Sequence, residues 1–120
     1  MKMRNIFLLA ALVGMLWPAA AVAQDKKREA QLRTVHGVVI DKEETELPGG
    51  VVYLKNTKTQ VVKTNIAQEK GEYRFSGLDP NVDYEIHAEK DGMTSTKRTI
   101  SSFDSRKAIV VNLKVDKKVE

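Results

Sequence analysis

From Thr34 onward the apolar residues of this chain fall at every second position, in short runs separated by turn residues. Successive side chains of a strand point to opposite sides, so this alternation marks strands with one buried and one exposed face. Seven runs carry it: Thr34–Asp41, Val51–Asn56, Gln60–Ile66, Glu72–Ser76, Asp83–Glu89, Met93–Ser101 and Ala108–Val115. Between them lie Pro48-Gly49-Gly50, Asn56-Thr57-Lys58, Lys70-Gly71, Asp79-Pro80-Asn81 and Asp91-Gly92, which supply the fixed or positive φ angles of chain reversals. The pattern predicts an all-β fold over residues 34–115, a seven-stranded two-sheet Greek-key sandwich.

Alternation also assigns the faces. Val35, Gly37 and Val39 share one side, as do Val52 and Leu54, Tyr73 and Phe75, Tyr84, Ile86 and Ala88, and Ile109, Val111 and Leu113; these are the expected core. The sixth run, polar on both faces with Lys97 and Arg98 adjacent, reads as an edge strand protected against pairing with other chains. The opposite faces should be polar if they meet only water. Instead Val38, Ile40, Val51 and Tyr53 fall there, with Val61 and Val110. If the first two strands are neighbours, Val38, Ile40, Val51 and Tyr53 form one apolar patch, the candidate interaction surface.

The first residues change the picture of where the chain works. Lys2 and Arg4 precede the apolar run Ile6–Trp17, and Pro18–Ala23 is made of small residues with Ala21 and Ala23 suited to a cut before Gln24. That order is a signal-peptide layout. Twelve apolar residues rise only about 18 Å as a helix against a hydrocarbon core of roughly 30 Å. The expected organisation is a cleaved signal peptide at 1–23, a charged tether at 24–33, the sandwich at 34–115 and a charged tail at 116–120. The mature form is expected to be exported, periplasmic or secreted, with no membrane span. The chain has no cysteine, which rules out disulfides and a cysteine-linked lipid.

Lys2 and Arg4 leave with the signal, so 18 of the 20 basic residues face 16 acidic ones and the net charge falls from +4 to +2. The signs are interspersed, as in Asp25-Lys26-Lys27-Arg28-Glu29, without the basic stripe of a nucleic-acid binder.

Three motifs resemble a known family: Val35-x-Gly37-x-Val39-x-Asp41; Pro48-Gly49-Gly50-x-Val52-x-Leu54-x-Asn56; and Gly71-x-Tyr73-x-Phe75-x-x-Leu78-x-Pro80, leading to Tyr84-x-Ile86-x-Ala88-x-Lys90-x-Gly92. Over Thr34–Val115 the chain is similar to the carboxypeptidase regulatory-like domains of the transthyretin-like (prealbumin-like) sandwich superfamily. The resemblance implies that sandwich fold and a non-catalytic module. Its structural positions also have physical roles. Gly37 in mid-strand leaves room for an aromatic or a close backbone approach. Leu78-Asp79-Pro80 followed by Tyr84 reads as a tyrosine corner, and Gly71, Tyr73 and Phe75 set a turn and two inward rings. The chain departs from the family pattern before Gly71, where Ile66-Ala67-Gln68 lengthens the loop after Thr64-Asn65. A fibronectin type III sandwich shares the corner, but the chain's one Trp, Trp17, lies in the signal.

Candidate chemistry is sparse. The imidazoles, His36 and His87, both alternate outward, and no serine elbow or phosphate-binding glycine loop accompanies them. Glu85 and Glu89 share a strand face with His87 but bring no third strong ligand group, and Asn112 on the last strand faces outward, away from the apolar shell a Lys–Asn cross-link needs. The expectation is no catalytic, cofactor or metal site and a protein or envelope partner. The alternative is a glycan ligand of a starch-binding-like module, for which only Tyr53 and Phe103 remain as platform aromatics.

Overall fold

The computed structural model describes residues 32–119, so the expected signal peptide and most of the expected tether lie outside the described residues. The chain forms nine strands: β1 (Arg33–Ile40), β2 (Val51–Asn56), β3 (Val62–Ile66), β4 (Glu72–Leu78), β5 (Tyr84–Lys90), β6 (Met93–Ser95), β7 (Arg98–Ile100), β8 (Ala108–Val110) and β9 (Leu113–Lys118). One layer is β3-β2-β5, extended by β6 and β7; the other is β4-β1, extended by β8 and β9. Pairing of β6 with β9 joins the layers in the order β3-β2-β5-β6-β9-β1-β4, a curled sandwich whose path ends at β3 and β4.

The strand count differs from the seven expected because the last two runs each break once. In the sixth, the partner residues Glu89↔Thr94 and Glu85↔Thr99 differ in register by one residue, the mark of a bulge. There the buried Ser95 hydroxyl accepts the amide of Ala88 at 2.8 Å in place of a backbone carbonyl. β6 is therefore interior, between β5 and β9, and β7 alone carries the edge character expected of the whole run. In the seventh run β8 and β9 both pair parallel with β1, interrupted at Val111-Asn112 opposite Gly37-Val38. The Asn112 side chain fills the gap by accepting the Val38 amide at 3.1 Å.

The core lies between the layers and is built from the alternating set: Val35 and Val39, Val52 and Leu54, Tyr73 and Phe75, Tyr84, Ile86 and Ala88, Ile109, Val111 and Leu113, together with Leu78, Ile100 and Val115. Two boundaries move. Arg33, placed in the tether by its charge, is the first residue of β1 and buried, and Asp116–Lys118, placed in the tail, continue β9. Among the described residues no helix is long and apolar enough to cross a membrane.

Candidate interaction surface

The outer face of the β3-β2-β5 layer carries Val51, Tyr53, Val62 and Ile66 among polar neighbours. Its rows follow from register: Ile66 beside Val51 beside Glu89, Thr64 beside Tyr53 beside His87, and Val62 beside Lys55 beside Glu85. Ile66 and Val62 are exposed, Val51 and Tyr53 half-buried. The Tyr53 and His87 rings stack, with centroids 4.9 Å apart and planes 12° from parallel. His87 Nε2 lies 3.0 Å from Glu89 Oε2, which fixes the ring from its other side.

The structure does not bring Val38 and Ile40 to this face. β1 pairs with β4, β8 and β9, never with β2, so consecutive strands lie in different layers and the four-residue patch separates into two pairs. On the β1 layer Val38 sits between Glu72 and Asn112, and Ile40 between Lys114 and Glu46. Next to Val38 an open groove of about 510 Å³ runs past His36, Asn65, Arg74, Val110 and Asn112. Val61, read as outward, is on the core side of its strand: Lys63, two residues on, pairs with the buried Leu54, so Val62, Thr64 and Ile66 face out. Sequence reading missed Val62, Ile66 and His87 as members of the surface because β3 overhangs the core at the rim. Neither of its faces is fully buried, and burial is what makes alternation legible.

The residues singled out as structural cluster behind these faces. An added Cβ at Gly37 would lie 1.9 Å from the carbonyl oxygen of Val111, so the backbones meet where a side chain would otherwise stand. That carbonyl accepts the hydroxyl of Tyr73, the residue paired with Gly37 across β1 and β4. Burial pushes the Tyr73 hydroxyl well above the usual phenol range. Phe75 packs 6.2 Å from the Tyr73 ring, and Gly71, at φ 75°, places its carbonyl 2.8 Å from the Val39 amide. At the corner, the Asp79 amide donates to Tyr84 Oη at 2.9 Å, with Leu78 buried and Pro80 half-buried beside it.

Arg33 completes that end. Its Nη1 donates to the carbonyls of Ser101 (2.7 Å) and Asp104 (3.3 Å), and its Nη2 to those of Asp79 (3.1 Å) and Val82 (2.9 Å). One planar cation thereby ties the corner to the β7–β8 connection, a use of the guanidinium fork that lysine cannot reproduce. The carboxylates facing it are held ionised: the Ser102 amide lowers Asp83, and Arg106 lowers Asp104 to about 2.

The groups screened for chemistry stay apart. His36 lies between Arg74 and Val110 on the β1 layer and His87 on the other. Asn112 is engaged by the Val38 amide. Among the described residues no three His, Cys, Asp or Glu side chains are placed to hold a metal ion. Tyr53 sits on β2 with one ring face covered by His87, whereas Phe103 sits on the β7–β8 connection, so the two aromatics do not form one platform.

Residues 34–116 match the model of the carboxypeptidase regulatory-like domain family. A serine-aspartate repeat-containing protein I of Staphylococcus saprophyticus is 42% identical over 59 residues, which is 48% of this chain and 3% of that protein. Among solved structures, a catechol 1,2-dioxygenase from Acinetobacter aligns with a TM-score of 0.56 and 13% identity over 74% of this chain and 53% of that one. BcpA, the major pilin subunit of Bacillus cereus, gives 0.55 and 15% over 73% and 31%. The C-terminal domain of a shaft pilin from Lactobacillus rhamnosus gives 0.51 and 10% over 72% and 98%. At these identities the solved structures share the fold.

Proposed function

The chain belongs to the carboxypeptidase regulatory-like domain family, and from that premise we propose that it serves as an exported, non-catalytic module that binds another protein or an envelope component through the outer face of its β3-β2-β5 layer. The observation that carries the reading is the row structure of that face, where Ile66 lies beside Val51 and, in the next row, Tyr53 stacks on His87, with Val62 one row further on beside Lys55. A sheet face turned only to water carries polar residues at such positions, and contiguous exposed apolar surface usually marks a partner. Export rests on the signal-like order of residues 1–23. The likeness to a serine-aspartate repeat protein and to pilin domains is in keeping with work outside the cytoplasm.

The test is the Val51→Ser, Tyr53→Ser double variant, scored against wild type for partners retained from an envelope fraction and for its unfolding midpoint. An unchanged midpoint with retention weakened about 30-fold is expected, since truncating a central aromatic often removes about 2 kcal/mol or more from an interface. Equal retention of every partner would overturn the proposal. Binding on a glycan array that survives the double variant would assign the ligand to another face.

A further inference from the structure

Phe103 is 96% exposed, yet the chain around it is firmly built. Its own amide donates to Ser101 Oγ at 3.0 Å, the Asp104 amide to the Ser101 carbonyl at 3.1 Å, and the Ser102 amide to Asp83 Oδ1 at 2.6 Å. The Arg33 guanidinium grips the Ser101 and Asp104 carbonyls from below. An aromatic held out on a hydrogen-bonded loop has paid part of its ordering entropy before it meets anything.

The same end of the molecule holds an apolar cavity of about 210 Å³. It opens where the path of strands ends, with Leu54, Leu78 and Tyr84 as its floor, Val61 as a wall and Lys63 at the rim. A cavity of about 150 Å³ with apolar walls admits benzene. Tyr84 pairs with Asn56 on one flank and Ile100 on the other, so cavity and loop lie on opposite sides of the start of β5. Phe103, being exposed, does not occupy the cavity of its own chain.

We propose that the Phe103 ring of one copy fills the cavity between Leu54, Val61, Leu78 and Tyr84 of a second copy, a knob-into-hole contact through which the exported domain associates with itself. Because knob and hole are different surfaces, the contact can run head to tail. A phenylalanine buries only about 150–250 Å², far under the roughly 1,200 Å² of a stable pair, so the association is weak in dilute solution and gains strength where copies are crowded or tethered. This contact is separate from the β3-β2-β5 face.

Sedimentation of the mature chain over a concentration series up to the millimolar range tests it. Wild type should show mass rising with concentration. Phe103→Ser, which removes the knob, and Val61→Lys, which blocks the hole, should each weaken association about tenfold or more. An equimolar mixture of the two variants should recover a one-to-one dimer and nothing larger, because one supplies the hole and the other the knob. The Val51→Ser, Tyr53→Ser variant should associate as wild type does, which separates this contact from the partner-binding face. If Val61→Lys lowers the unfolding midpoint, Thr59→Arg at the cavity rim takes its place. Monomeric wild type throughout the series, as expected if the cavity receives a foreign aromatic group instead, would overturn the proposal. So would a mixture that stays monomeric.

Discussion

The hydroxyl of Tyr73 donates to the carbonyl of Val111 at the spot where Gly37 has no side chain. β1, β4 and the break between β8 and β9 meet there, and each residue type is explained by the other two. Tyr73→Phe leaves a buried carbonyl without its donor, at a cost of about 1–3 kcal/mol. Gly37→Ala forces the two backbones apart and is expected to cost at least as much. Since both act on one carbonyl, the double variant should be less destabilised than the sum of the singles. Urea midpoints of the four proteins check this; strict additivity would mean that the two sites are independent.

Tyr84→Phe should lower stability by about 1–3 kcal/mol, because the Asp79 amide loses the oxygen that accepts it at 2.9 Å. Its effect should add to that of Tyr73→Phe, since the two hydroxyls have different partners. Thermal unfolding of the single and double variants measures it.

Arg33 predicts where truncation becomes harmful. Removing residues through Leu32 should leave the unfolding midpoint unchanged, whereas removing Arg33 as well, or replacing it by Met, strips the donor from four carbonyls. A loss of about 3 kcal/mol or more is expected, and Arg33→Lys should restore only part of it because an ammonium cannot span both sides. Equal stability of the two truncations would show that the clasp contributes little.

Asp83 and Asp104 set an acid limb. Both have folded-state pKa values below those of the unfolded chain, Asp83 through the Ser102 amide and Asp104, at about 2, through Arg106. Their contribution is therefore complete above the unfolded carboxylate value of about 4 and is lost as pH falls toward the folded one. Stability measured from pH 5 to 2 should decline less steeply in Asp83→Asn and Asp104→Asn than in wild type, with little difference among the three slopes above pH 5.

Alternation by itself determined the class of fold and nearly all of the core, because a two-layer sandwich buries one face of each strand and period two then maps directly onto burial. The same parity contained Arg33, which shares a face with Val35 and Val39; its charge concealed what its position disclosed, since four carbonyls, two at the corner and two on the β7–β8 connection, make an inward guanidinium tolerable. The breaks in the last two runs were hidden because the groups that bridge them, Ser95 Oγ and Asn112 Oδ1, are side chains standing in for backbone acceptors. Only the tertiary structure decided which strands are neighbours. Residues close in sequence on β1 and β2 went to separate layers, and Val51 and Tyr53 joined Val62, Ile66 and His87. Pairing between strands is fixed by the closure of the whole sheet around its core, a global packing condition that no single strand's pattern encodes.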